Sequence, residues 1–226
     1  MTKRQMLLGF AAMSLSFASV MTARADMFSD EAQNLVGTAT ITIQGWGSAN
    51  GFANITFNSI PIGTVFAGLF QISPSQQSTS YAACVDLQNF INFGNNNNYT
   101  YQVWYAYGRA GALAALFNTI NLNNADEAVG FQLALWELVY DSYNNPSNDN
   151  LSGGNFIVTS SNPSGAISKA QFFLNQAQGA APYFYLRAEG GQHQDLILVP
   201  YVPEPASLLA LGVGVAGVAL RRRRRA

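Results

Sequence analysis

Two apolar runs lie near the ends of this chain, and they limit the part that can fold as a domain to the residues between them. The first run covers 6–21 and follows Lys3 and Arg4, and the second covers 206–220 and leads directly into a block of arginines. Both are shorter than the roughly 20 apolar residues that a membrane-spanning helix usually needs. Residues 26–201 have the length of one domain with a core of its own.

The first run has the order of a removable secretory signal. A positively charged start precedes the apolar stretch, and Ala23-Arg24-Ala25 then gives the small-x-small pattern of a cleavage site. We therefore expect residues 1–25 to form a signal helix that is removed after Ala25. The alternative is an uncleaved N-terminal membrane anchor.

The second run belongs to a three-part tail, residues 202–226. The tail begins with Pro203, Glu204 and Pro205 and ends with five basic residues, Arg221, Arg222, Arg223, Arg224 and Arg225. This order resembles the PEP-CTERM sorting signal of Gram-negative bacteria, which the membrane protease-transpeptidase exosortase processes near the Pro-Glu-Pro. The resemblance implies a short C-terminal transmembrane helix before processing, with the arginines on the cytoplasmic side. It also implies export across the inner membrane to the cell surface or extracellular matrix. A plain C-terminal anchor is the alternative.

Charge and cysteine content exclude several classes of function for residues 26–201. This stretch carries three basic and eleven acidic residues, a net charge of −8, which argues against nucleic acid or anionic lipid as a partner. His193 is the one histidine of the chain, so a histidine-based metal cluster is excluded, and no pattern indicates a cofactor. Cys84 is the one cysteine, so an exported chain cannot close a disulfide within itself.

The hydrophobic pattern predicts strands on both sides of a helical middle. Strands are expected at 38–43, 53–57, 65–70, 99–107, 183–186 and 195–199. Helices are expected at 111–120, 126–140 and 167–178. The second helix has acids in its first turn, and Ser164 is the expected N-cap of the third. The sum is an α+β domain, an antiparallel β-sandwich or barrel with a helical insertion.

Gln132 occupies the middle of an apolar stripe on the second helix. On a helix it shares a face with Val129, Leu135, Trp136 and Val139. A buried amide without a partner costs about 1–3 kcal/mol, so Gln132 needs a specific one. Backbone groups of the sheet are the simplest candidates.

An unpaired exported cysteine and a glutamine on an apolar stripe are also the ingredients of an internal thioester. The sulfur of Cys84 would attack the side-chain amide of Gln132, expel ammonia, and store an acyl group on sulfur until an amine arrives. Such a reaction needs a sulfur with thiolate character beside the amide carbonyl. It also needs donors that stabilise the developing oxyanion.

Residues 131–136 read Phe-Gln-Leu-Ala-Leu-Trp, and here the chain resembles the thioester domains of Gram-positive surface adhesins. Their motif is an apolar residue, Gln, any residue, Ala, an apolar residue and Trp, with the cysteine upstream. The resemblance implies a Cys84–Gln132 cross-link, with Phe131, Ala134 and Trp136 in the motif that shields it. It further implies covalent adhesion, in a single reaction, to an amine-bearing surface or matrix component. Such a protein is not an enzyme.

Other functions remain open. One is a non-covalent structural or exopolysaccharide-binding component of the extracellular matrix with a free Cys84 thiol. Aromatic residues that could form a sugar-binding strip, although packing is their usual role, are Tyr99, Tyr101, Trp104, Tyr105 and Tyr107. A hydrolase dyad of Cys84 and His193 is a further alternative, but the Gly-Gly-Gln-His-Gln context is typical of a solvated loop. Asp86 is expected to serve in structural hydrogen bonding, and the loop around Asp149 lacks the spacing of a calcium site.

Overall fold

The computed structural model describes residues 31–74, 80–87, 91, 98–121, 123–142, 146–189 and 193–199. The predicted signal helix at 1–25 and the predicted tail at 202–226, with Pro203, Glu204, Pro205 and the terminal arginines, lie outside the described residues. Among the described residues, no helix is both long and apolar enough to cross a membrane.

Seven strands form one antiparallel sheet. They are β1 (Ala32–Phe57), β2 (Ile60–Pro74), β3 (Ser80–Cys84), β4 (Asn98–Gly108), β5 (Phe156–Asn162), β6 (Ala181–Ala188) and β7 (Leu196–Val199). The strand order is β2-β3-β7-β6-β4-β1-β5, and β1 also pairs with β2. The pairings of six strands therefore close into a ring, and β5 extends it along β1. The expectation of a mostly antiparallel sheet with helices is confirmed.

Strand β1 is longer than the sequence pattern indicated. The pattern predicts separate strands at 38–43 and 53–57, whereas the structure has one strand of 26 residues. The register of β1 with β2 shifts between Ile43 and Gly45 and between Trp46 and Asn50. Glycine therefore marks irregular positions inside the strand and not its ends. At Gly51 a Cβ would lie 2.0 Å from the carbonyl oxygen of Asn162, so glycine lets β5 approach closely.

Three α-helices lie in the middle and later part of the chain. They are α1 (Arg109–Ala115), α2 (Ala125–Glu137) and α3 (Ala166–Gln176). A 3-10 turn at Leu116–Thr119 follows α1, and a π-turn at Leu138–Ser142 continues α2. The sequence pattern placed these helices correctly, but it read α1 and α2 together with the turns that follow them as single elements.

The start of α2 agrees with prediction, and the start of α3 does not. The side chain of Asn124 accepts a hydrogen bond from the Asp126 N–H at 3.0 Å, and Asp126 and Glu127 occupy the first turn. In α3 the N-cap is Gly165, without a side-chain capping bond, so the prediction of Ser164 was wrong. A Cβ at Gly165 would lie 2.6 Å from Oδ1 of Asp126. The carboxylate of Asp126 would have to shift to make room for a side chain at this position.

Helix α2 is buried along nearly its whole length. From Ala128 to Glu137 every residue of this helix is buried. It packs against α3 at Gly130, where a Cβ would lie 2.7 Å from the Cβ of Lys169, and its other side faces the sheet. Because α3 covers one side of α2 and the sheet covers the other, Gln132 lies in the interior.

Candidate functional site

Cys84 is the last residue of β3, and here β3 still pairs with β7 but no longer with β2. On one side, Cys84 lies opposite Leu196 of β7. On the other side, the register of β3 with β2 runs only as far as the pair Leu69–Ala83. The N–H and C=O groups of Cys84 that point toward β2 therefore lie one residue beyond the end of the β2–β3 pairing. The side chain is buried, with 3% exposure, so these groups need partners from within the protein.

Gln132 provides those partners with its side-chain amide. The Cys84 N–H donates to Gln132 Oε1 at 2.9 Å, and Gln132 Nε2 donates to the Cys84 carbonyl oxygen at 2.6 Å. The carboxamide therefore makes the two hydrogen bonds that a peptide unit of a neighbouring strand would make. Gln132 has 0% exposure. The expectation that its amide has a specific partner is confirmed, and that partner is the backbone of the cysteine itself.

The sulfur of Cys84 is held by the residues that follow it. The thiol donates to the Asp86 carbonyl oxygen at 2.8 Å, and Cys84 forms no disulfide. The Val85 N–H donates to the Asp195 carbonyl oxygen at 2.9 Å, and the Asp195 N–H donates to Asp86 Oδ2 at 2.9 Å. The chain just after β3 is therefore fastened to the chain just before β7. Asp86 serves in structural hydrogen bonding, as the sequence predicted.

The carboxylate of Asp195 joins this arrangement to β6. Its Oδ1 accepts from the Ala188 N–H at 2.9 Å, and its Oδ2 accepts a short hydrogen bond from the Tyr185 hydroxyl. Asp195 is buried, with 5% exposure. Sequence reasoning missed its role, because an acid directly before a short apolar strand looks like an ordinary strand boundary.

A second contact runs from the helix that carries Gln132 to the cysteine segment. The Leu87 N–H donates to Tyr140 Oη at 3.1 Å, and this hydroxyl lies 3.4 Å from the Val85 carbonyl oxygen. Tyr140 belongs to the π-turn that continues α2. In a regular α-helix residues 132 and 140 would point about 80° apart, and a π-turn changes that angle. Helix α2 and its continuation thus hold the cysteine segment at two points.

The other motif residues lie in the core around Gln132. Phe131 and Ala134 have 0% exposure and Trp136 has 2%. The Phe131 ring packs between the rings of Phe117 and Phe173, with centroids 6.1 Å from each. The indole N–H of Trp136 has no hydrogen-bond partner among the described residues. Their shielding role stays a prediction.

Burial and ion pairs shift several pKa values near α2. Burial raises the pKa of Glu137 to about 8, and the charges of Asp141 and Asp149 act in the same direction. Asp149 forms a bidentate pair with Arg109, at 3.0 and 2.7 Å. At the other end of α2, Lys169 lies 2.8 Å from Glu127 and lowers the pKa of that carboxyl. Lys169 is the one lysine of the predicted domain.

The structure also describes the residues of the other candidate sites, which are His193, the aromatic residues of β4 and the possible metal ligands. The imidazole of His193 lies against the ring of Tyr99, with centroids 4.4 Å apart, and His193 is half-buried in the loop before β7. Tyr99 and Tyr101 are buried, with 7% and 0% exposure, so the five aromatic residues of β4 do not form one exposed strip. The described residues contain no cluster of His, Cys, Asp and Glu that could hold a metal ion.

Comparison with known proteins supports the interpretation of the tail. The family model described as the PEP-CTERM protein-sorting motif matches residues 202–224. The chain therefore carries this sorting motif, as its sequence predicts, and is an exported, surface-sorted protein with the signal for exosortase processing.

For the central domain, no curated protein matches the chain. Among solved structures, the chain is similar to the N-terminal thioester domain of fibronectin-binding protein SfbI from Streptococcus pyogenes. The sequence identity is 12% and the TM-score is 0.37, and the alignment covers 61% of this chain and 87% of that one. A similarity of this size does not establish a shared function.

Proposed function

We propose that Cys84 and Gln132 form an internal thioester through which the protein bonds covalently to an amine on another surface or matrix component. The observation that supports this most is the pair of hydrogen bonds between the Cys84 backbone and the Gln132 carboxamide. These hydrogen bonds hold the carboxamide of Gln132, whose carbon is the electrophile, beside Cys84, which carries the nucleophilic sulfur. Positioning of this kind can remove a large part of a reaction barrier.

The reaction that closes the thioester needs no other reagent. The Cys84 sulfur bonds to Cδ of Gln132, the C–N bond breaks, and the thiol proton leaves with the nitrogen as ammonia. During attack, negative charge develops on Oε1, which already accepts from the Cys84 N–H at 2.9 Å. This N–H is a preorganised donor of the kind that stabilises an oxyanion.

The reaction that uses the thioester is an aminolysis. An incoming primary amine bonds to the carbonyl carbon, the C–S bond breaks, and the proton that the amine loses ends on the Cys84 sulfur. The product is an amide bond between Gln132 and the partner, together with a free thiol. Because the acyl group is consumed, each molecule reacts once and there is no turnover. Burial of both residues keeps water from the stored acyl group before the amine arrives.

The distribution of amines in the protein is consistent with reaction toward a partner. Lys169 is bound to Glu127 across the α2–α3 contact, while Gln132 points to the opposite side, toward β3. The matched motif is a signal for surface sorting, and the proposal requires that the partner's amine is met there.

A non-covalent matrix component is the second candidate, and one observation favours it. Both polar atoms of the Gln132 amide already have hydrogen-bond partners without any reaction. In that case the pair only joins α2 to β3, and adhesion rests on other surfaces, including contacts to exopolysaccharide.

Labelling with a biotinylated primary amine distinguishes the two. In the purified protein, we expect one label per chain on Gln132, with simultaneous release of the Cys84 thiol. Cys84→Ala and Gln132→Ala should both abolish labelling, whereas Gln176→Ala, at an exposed glutamine of α3, should not change it. Equal labelling in the wild type and Cys84→Ala would contradict the thioester.

A further inference from the structure

The side chain of Tyr101 ends in a buried hydroxyl that makes no hydrogen bond within the described part of the fold. Tyr101 lies on β4 opposite Ala188 of β6, and its side chain has 0% exposure. An unsatisfied hydroxyl in the core destabilises a protein, and phenylalanine would fit the same space without that cost.

The surroundings of Tyr101 connect it to the cysteine. Its strand neighbour Ala188 donates to the carboxylate of Asp195, and the Asp195 carbonyl oxygen accepts from Val85, the residue after Cys84. Burial raises the pKa of Tyr101, and the charges of Asp195, Cys84 and Tyr99 raise it further.

The strand register places the side chains of Cys84 and Tyr101 on one face of the sheet, because the pairs Cys84–Leu196, Leu196–Leu186 and Leu186–Val103 lead across to β4, where Tyr101 is two residues from Val103. Both side chains are buried inside the ring of strands, and the raised pKa keeps the proton on the Tyr101 hydroxyl.

The protonation state of the sulfur determines which partners it needs. As a thiol, Cys84 donates to the Asp86 carbonyl oxygen at 2.8 Å. When aminolysis breaks the C–S bond, the sulfur leaves with the bonding electrons and has no proton to donate. It then requires a donor in place of the Asp86 acceptor. Tyr101 has a donor hydrogen with no acceptor to receive it.

We propose that the Tyr101 hydroxyl donates a hydrogen bond to the Cys84 sulfur as it leaves the thioester, and so accelerates attack by the amine. This inference rests on the proposed function. Tyr101 keeps its proton throughout, and the proton lost by the amine ends on sulfur. The titratable groups that act electrostatically on Tyr101 are Asp195 from the segment before β7, Cys84 from β3, and Tyr99 from its own strand. Asp195 is itself held by Tyr185 of β6.

The test is the rate at which methylamine releases the Cys84 thiol. Tyr101→Phe removes only the hydroxyl, and a hydrogen bond to a charged group corresponds to a rate loss of about tenfold or more. The matched control is Tyr99→Phe, which removes the hydroxyl of a buried residue two positions away on the same strand and should leave the rate close to wild type. A Tyr101→Phe rate equal to the wild-type rate would overturn the proposal.

A second measurement separates this inference from the proposed function. After methylamine treatment the Cys84 thiol is free in every variant, whether or not a thioester existed before. The pH profile of its alkylation by iodoacetamide should have its midpoint at higher pH in Tyr101→Phe, because the thiolate has lost a donor. If the wild type never held a thioester, the proposed function fails and this profile still tests the role of Tyr101. An unchanged midpoint would refute that role.

Discussion

Replacing Gln132 by Ala in a chain that already carries Cys84→Ala isolates the non-covalent contribution of the amide. No thioester can form in that background, so the change removes no covalent bond, only the packing of the side chain and the two hydrogen bonds to the backbone of residue 84. It leaves one N–H and one C=O buried without partners, at about 1–3 kcal/mol each. The loss of a fully buried side chain adds a cavity. The two unpaired groups alone should lower the free energy of unfolding by about 2–6 kcal/mol, and the cavity adds to that loss.

The assay is urea unfolding at equilibrium, comparing Cys84→Ala with the Cys84→Ala/Gln132→Ala double variant. The slope m should stay constant while the midpoint falls. Gln176→Ala in the same background should change the free energy of unfolding by no more than about 0.5 kcal/mol, because its side chain is exposed. A loss below about 1 kcal/mol in the double variant would refute the claim that the amide replaces a strand partner of Cys84.

Three further predictions concern the supports around the site. The folded-state pKa of Glu137, about 8 against an ordinary 4.5, means that the native state keeps a proton that the unfolded chain loses between those values. Stability should therefore fall as the pH rises through that window. The difference between the melting temperatures at pH 5 and pH 9 should be smaller in Glu137→Gln than in the wild type, and it should be unchanged in Glu127→Gln. Asp149→Ala leaves the buried Arg109 without its bidentate partner and should cost about 3–5 kcal/mol in urea unfolding; a loss under about 1 kcal/mol would contradict this. Tyr140→Phe should cost about 1 kcal/mol and speed hydrogen exchange at the Leu87 amide, and unchanged exchange would contradict the assigned contact.

The sequence was most informative where local pattern and chemistry agree. An amide on an apolar helical stripe required a partner, and a single exported cysteine required an explanation. Together they identified Cys84 and Gln132, which the structure joins although they lie 48 residues apart. Alternation predicted parts of β1, β2, β4, β6 and β7, whereas β3 and β5 were not predicted. The start of α2 followed from the acids in its first turn.

Other features depend on contacts that no local pattern encodes. Glycine is needed at position 51 of β1 because the backbone of Asn162, more than 100 residues later, approaches it closely. The contacts of Tyr140 with the cysteine segment require a π-turn, which has no distinct sequence pattern. The N-cap of α3 is Gly165 and not Ser164, and the carboxylate of Asp126 lies close to that glycine.

The intact mass of the purified protein, measured before any amine is added, tests the central claim most directly. The thioester account predicts that the wild type falls short of its sequence mass by one molecule of ammonia. It also predicts that methylamine adds its full mass to that species and releases one thiol. Cys84→Ala should show its full sequence mass and no change with methylamine. A wild type with full sequence mass and a Cys84 that alkylates without amine treatment would contradict the thioester and favour a non-covalent matrix protein.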